Sequence, residues 1–177
     1  ILDDLRKGRM ALREDVMDLV ERSVQYAVGE STGGTIVLPF PRFSFTEATE
    51  RFGSDKPDLT NPLEMRDLSD LLADSGSDVI ENLLRQGAVR GIAVAQGDAV
   101  SLKEIDSLHG FVRDSGGQGL GWIRFREEEI QSPFKRTLRP ETVAKLRKGL
   151  GLGPGGLLVF LGGEKRWVCG TPGAIRA

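Results

Sequence analysis

Glycine constrains this chain more than any other residue type. Eleven of its 23 copies in 177 residues sit in short clusters: Gly33-Gly34, Gly116-Gly117, Gly149 to Gly156 and Gly162-Gly163. Such clusters interrupt helices and strands alike, because glycine loses the most backbone entropy on ordering and admits tight turns that other residues resist. The chain must therefore fold as many short elements joined by turns. Between the clusters it is 39% hydrophobic and 28% charged, the balance of an ordinary soluble globular chain. The length suits one ordinary domain or two small ones.

The segments between the glycines carry readable patterns. Val16, Leu19, Val20, Val24 and Ala27 recur at the spacing of one helix face, which predicts a helix over 15–28. Thr35 to Leu38 is β-branched enough for a short strand, stopped by Pro39 and Pro41. Ser44-Phe45-Thr46-Glu47 has the form of a capping box and opens a short helix that Gly53 ends. The turn-forming residues of 53–62 make a loop. Then follow a strand over 63–68, a helical turn over 69–73, a helix within 74–88 and a strand over 89–95. A second capping box, Ser101 to Glu104, opens a helix whose apolar face is Leu102, Ile105, Leu108, Phe111 and Val112. A strand over 120–126, a helix from Pro140 to Gly149 and a hairpin of Leu157–Leu161 with Arg166–Cys169 complete the order. From residue 63 onward this predicts an α+β unit, a small sheet with helices packed on one face, spanning 63–170. Residues 1–62 read as a separate piece too poor in apolar mass to fold alone, and 171–177 as a tail.

Composition removes several chemistries. One cysteine, Cys169, and one histidine, His109, supply neither a disulfide framework nor a zinc cluster, so no metal site is expected and the compartment reads as reducing and intracellular. His109, beside an apolar stripe, reads as structural, and Trp122 and Trp167 read as core residues of apolar strands. The longest apolar run, Leu157 to Leu161, is strand-sized and far from a membrane span. No lysine followed by serine or threonine closes the glycines of 149–156 into a phosphate loop. The first residue is Ile1, from which removal of an upstream segment is expected.

Charge is divided along the chain. Residues 1–119 carry a balance of -8 and residues 120–177 a balance of +6. The centre of the basic part is Lys135, Arg136, Arg139, Lys145, Arg147 and Lys148, opposed by Glu141 alone. These six are the candidate RNA-binding residues, and equally a solvated helix face whose lysines suit the helix dipole.

Pro41-Arg42-Phe43-Ser44-Phe45-Thr46-Glu47-Ala48 and Gly53-Ser54-Asp55-Lys56-Pro57-Asp58-Leu59 resemble the signature of bacterial-type aspartyl-tRNA synthetases, and Glu14-Asp15-Val16-Met17 resembles that family's segment just after its second class II motif. Leu120-Gly121-Trp122-Ile123, Gln131-Ser132-Pro133 and Pro154 to Phe160 resemble the GAD domain. In that family it is inserted into the catalytic domain, and it is shared with the B and E subunits of tRNA amidotransferases. The resemblance runs from about residue 14 to residue 168. It implies a fragment of a class II catalytic domain over 1–62, then a GAD-like domain.

The resemblance further implies that Ser54, Asp55, Lys56 and Asp58 form a loop facing substrate or tRNA. The same residues also make a Pro-Asp turn whose carboxylates cap backbone N–H groups. The family's arginine after Pro-Asp-Leu is replaced by Thr60. Nothing here resembles the arginine that grips ATP phosphate or the third motif, and adenylate formation rests on such charges. No catalytic residue is therefore assigned. The expected function is a non-catalytic structural, RNA- or protein-binding component of a translation assembly, such as an organellar ribosome in the mitochondrion, without cofactor. The alternative is an excerpt of an active aspartate–tRNA ligase, cytoplasmic and using ATP and Mg2+, whose motifs lie outside this chain.

Overall fold

Val89 to Val94 alternates toward two opposite apolar layers, and that alternation seats an interior strand of the fold. In the computed structural model, which describes residues 13–164 together with Val168, the strands are β1 (Met65–Asp67), β2 (Ala88–Val94), β3 (Gly121–Phe125), β4 (Ile130–Gln131) and β5 (Leu157–Gly163). They form one five-stranded sheet in the order β1-β2-β5-β3-β4, every pair antiparallel. The helices are α1 (Arg13–Thr32), α2 (Phe45–Phe52), α3 (Ser69–Leu72), α4 (Asp78–Gln86), α5 (Leu102–Asp114) and α6 (Pro140–Leu150). The α+β class is as expected.

The placement of helices corrects one expectation. Val89, Ile123, Phe125, Leu158 and Phe160 point to a layer covered by Leu72 of α3, Ile80 of α4 and Leu146 and Leu150 of α6. Ile92, Leu157, Val159 and Leu161 point the other way, onto Ile105 and Val112 of α5 and onto Val168. The sheet is thus clad on both faces, not one. The cause is legible in β5, which is buried along its whole length: a strand apolar on both sides needs cover on both sides.

Close packing is bought with glycine where strands cross. Gly121 pairs with Phe160 across β3 and β5, and a Cβ there would lie 2.4 Å from the Phe160 ring. The ring fills that space instead and tilts against Phe134 at 5.8 Å between centroids.

The chain divides into two compact units, at Phe43/Ser44. The sequence places the boundary at residue 62, but α2 buries Ala48 and Phe52 and lies in the same unit as the sheet. In the first unit α1 is longer than expected, and its stripe of Val16, Leu19, Val20 and Val24 is 39% to 55% exposed. Its buried residue is Glu21, held by Arg42 at 3.1 Å, while Arg42 also reaches Asp18 at 3.0 Å. Hydrogen bonding to Glu21 and Asp18 raises the Arg42 pKa further. The strand expected over 35–38 does not form: no described strand pairs with it, and Val37 is 83% exposed. Of the second strand of the expected C-terminal hairpin, Arg166, Trp167 and Cys169 lie outside the described residues, and Val168 is buried but in no strand.

Both capping boxes form. Ser44 accepts from the Glu47 N–H at 3.1 Å while Glu47 accepts from the Ser44 N–H at 2.9 Å. Ser101 and Glu104 repeat the exchange at 3.2 and 2.7 Å.

The signature loop and the basic face

Ser54, Asp55, Lys56 and Asp58 lie in the loop between α2 and β1, with Ser54 half-buried and the others exposed. The local turn chemistry predicted for them is present. Ser54 Oγ accepts from the Lys56 N–H at 3.0 Å, and Asp58 Oδ1 accepts from the Thr60 N–H at 2.8 Å and from its hydroxyl at 2.7 Å. Thr60, standing where the synthetase signature has arginine, is thus a partner of Asp58 within the turn.

The two ends of this loop are pinned. Arg51, in the last turn of α2, donates to both carboxylate oxygens of Glu64 at 2.7 and 3.2 Å, and its guanidinium lies 5.0 Å from the Phe52 ring centroid. Hydrogen bonding to Glu64 raises the Arg51 pKa further. Arg90, on β2 and only 6% exposed, donates through Nη1 to the backbone carbonyl of Glu50. Its Nη2 lies 3.6 Å from the Glu50 carboxylate and 3.9 Å from that of Asp67, its cross-strand neighbour. Arg90 was not singled out by sequence, where it is one cation in an apolar run. The signal was that very position, since a charge in a buried interior strand is retained only with partners.

The six basic candidates do not act as a single patch. Arg147 is half-buried, with its guanidinium 5.3 Å from the Phe125 ring centroid and hydrogen-bonded to the Arg126 carbonyl. Lys135 is paired with Glu129, whose carboxyl is held below the usual range by that lysine. Lys145 stands 3.7 Å from Asp74. Arg136, Arg139 and Lys148 are exposed. Thr142, Leu146 and Leu150 are the buried face of α6, which leaves Lys145 and Lys148 on its outer face. The fold adds a cation that sequence missed: exposed Arg66 of β1 donates to the Gly149 carbonyl at 3.4 Å, beside Lys148. Only tertiary pairing brings these residues together.

A cleft of about 400 Å3 separates α6 from the β3–β4 turn, with Ile130, Leu138 and Val143 among its apolar lining and Glu127, Glu128 and Glu129 on one lip. Those carboxylates oppose phosphate there, whereas the outer face of α6 carries Lys145 and Lys148. Among the described residues no three histidine, cysteine or carboxylate side chains gather as a metal site. No described helix is long and apolar enough to cross a membrane.

Comparison with known proteins matches residues 78–171 to the GAD domain. The chain is 39% identical over 165 residues to an aspartate–tRNA(Asp/Asn) ligase of Natranaerobius thermophilus, covering 93% of this chain and 28% of that protein. It is 35% identical to the aspartate–tRNA ligase of Halalkalibacterium halodurans and 36% to that of Geobacillus kaustophilus, with the same two shares covered. It therefore spans less than a third of the length of these relatives. With the five-stranded sheet and the residues 120–160 pattern in place, the chain belongs to the GAD domain family, in the form found in bacterial aspartate–tRNA ligases.

Proposed function

We propose that this chain is the GAD-bearing portion of an aspartate–tRNA ligase, supplying no adenylation chemistry itself and presenting tRNA with the outer face of α6. The observation that carries the tRNA contact is the exposed set of Lys145 and Lys148 on one helix face, joined by Arg66 from β1. Cations displayed along a helix neutralise phosphates and release counterions. ATP, Mg2+ and aspartate belong to the remainder of such a ligase. The exposed apolar stripe of α1 supports this reading, because that face gains stability only when further chain covers it. The bacterial relatives favour a cytoplasmic placement over an organellar one.

The test is binding of a tRNA(Asp) transcript to the purified chain across a salt series. Affinity falling steeply with salt is expected, and binding indifferent to salt would reject phosphate contact. A second reading, a stand-alone non-catalytic component of a translation assembly, is favoured by Thr60 in place of the signature arginine. The coding sequence decides between them: a third class II motif after residue 177 supports the ligase, and a stop codon there supports the stand-alone component.

A further inference from the structure

We propose that Arg90 is a positioning residue for the signature loop, so that the GAD sheet itself sets where Ser54, Asp55, Lys56 and Asp58 are presented. This rests on the reading of that loop as facing substrate or tRNA.

The loop leaves α2 after Gly53, whose φ of 70° and N–H to the Thr49 carbonyl close the helix in a left-handed cap. It returns to the sheet at Glu64. The Arg51–Glu64 bridge joins these ends directly. A bidentate guanidinium–carboxylate pair fixes distance and angle together, which a lysine would not do. That bridge closes the loop without fixing it to the core, because both partners are about 40% exposed.

Arg90 supplies the anchor. Its side chain leaves the interior strand β2 among buried neighbours and caps a carbonyl in the last turn of α2, one of the acceptors a helix end leaves unsatisfied. Asp67 and Glu50 flank the same guanidinium from β1 and α2. One buried cation therefore ties together the strand before it in the sheet, the strand that bears it and the helix that launches the loop. Its Nε is buried with no partner among the described residues. An arginine kept in that state is held for its reach to α2, since an aliphatic side chain would fill the same space without an unpaired donor.

The experiment is amide hydrogen exchange on the full 177-residue chain and on Arg90→Gln, Arg90→Lys and Glu64→Gln. Arg90→Gln and Glu64→Gln are expected to speed exchange of the Gly53 and Thr60 amides at least tenfold while the Leu158 and Phe160 amides keep their rates. Arg90→Lys restores part of the protection, because one ammonium donor still reaches the Glu50 carbonyl. Loop rates unchanged in Arg90→Gln, with the sheet intact, would overturn the proposal. Where Arg90→Gln fails to fold, Arg90→Lys and Glu64→Gln decide it: loop rates equal to the parent chain in both would also overturn it. Acylation of Lys56 with and without a tRNA(Asp) transcript is measured in parallel. Absence of protection rejects the RNA-facing reading of the loop while leaving the anchoring by Arg90 to be judged on exchange alone.

Discussion

His109 Nδ1 accepts the Leu120 N–H at 3.1 Å, across eleven residues, and so locks the middle of α5 to the start of β3. Nδ1 also lies 3.3 Å from the Leu120 carbonyl oxygen. Beneath the ring lies Gly119, at φ 135°, where a Cβ would come within 2.6 Å of the His109 Cε1.

Two substitutions test this lock. His109→Leu leaves the Leu120 N–H without its acceptor and is expected to cost about 1 to 3 kcal/mol. Gly119→Ala adds both the clash and a backbone conformation that side chains resist, for about 2 kcal/mol. Urea unfolding followed by circular dichroism checks both, and full stability in His109→Leu would reject the lock.

The Gly121–Phe160 pair makes a sharper claim about the core. Gly121→Val drives a branched side chain into the space occupied by the ring and is expected to lower stability by about 2 kcal/mol or more. Phe160→Leu, which vacates the same space, costs less in the Gly121→Val background than alone. A double-mutant cycle by urea unfolding reads the coupling, and strict additivity would count against direct contact.

Capping makes the fold sensitive to acid. Hydrogen bonds from the Ser101 hydroxyl and N–H hold Glu104 below its ordinary value of 4.5. Those from the Ser44 N–H and hydroxyl do the same for Glu47. A carboxylate depressed in the folded state binds its proton more weakly there than in the unfolded chain. Its contribution is therefore fully present above the ordinary glutamate range and is lost as pH falls below it. Glu104→Gln should accordingly show a smaller loss of urea midpoint between about pH 7 and about pH 3 than the parent chain. An identical loss in both would exclude the capping carboxylate as a source.

The basic residues separate into two roles. Lys148→Ala is expected to leave stability unchanged and to reduce the slope of log affinity against log salt by about one for a tRNA(Asp) transcript. Arg147→Ala should instead destabilise the chain by about 1 kcal/mol through loss of its contact with Phe125, with the salt slope unchanged. Filter binding at several salt concentrations, beside thermal unfolding of each variant, distinguishes them.

Local chemistry was the legible part of this chain. Ser44 with Glu47 and Ser101 with Glu104 fix helix starts through bonds three residues apart, and the apolar stripe of 102–112 follows helical spacing. A window of a few residues contains all of that. The second cladding layer was hidden because the apolar run of β5 announces burial without saying which helix lies on which face. Arg90 and Arg66 were hidden for a related reason: their partners, Glu50 and Gly149, lie 40 and 83 residues away. Thr35 to Leu38 shows the opposite failure, a β-prone segment that pairs with no strand among the described residues.

The outermost strands are the shortest in the sheet, β1 with three residues and β4 with two. The first carries Arg66 and Asp67, and the second follows Glu127, Glu128 and Glu129. So little unpaired backbone, ringed with charge, is a poor template for another chain's strand. A domain blunted at both margins resists pairing with neighbouring copies while it is being synthesised, and a larger host can carry it without gaining a sticky rim.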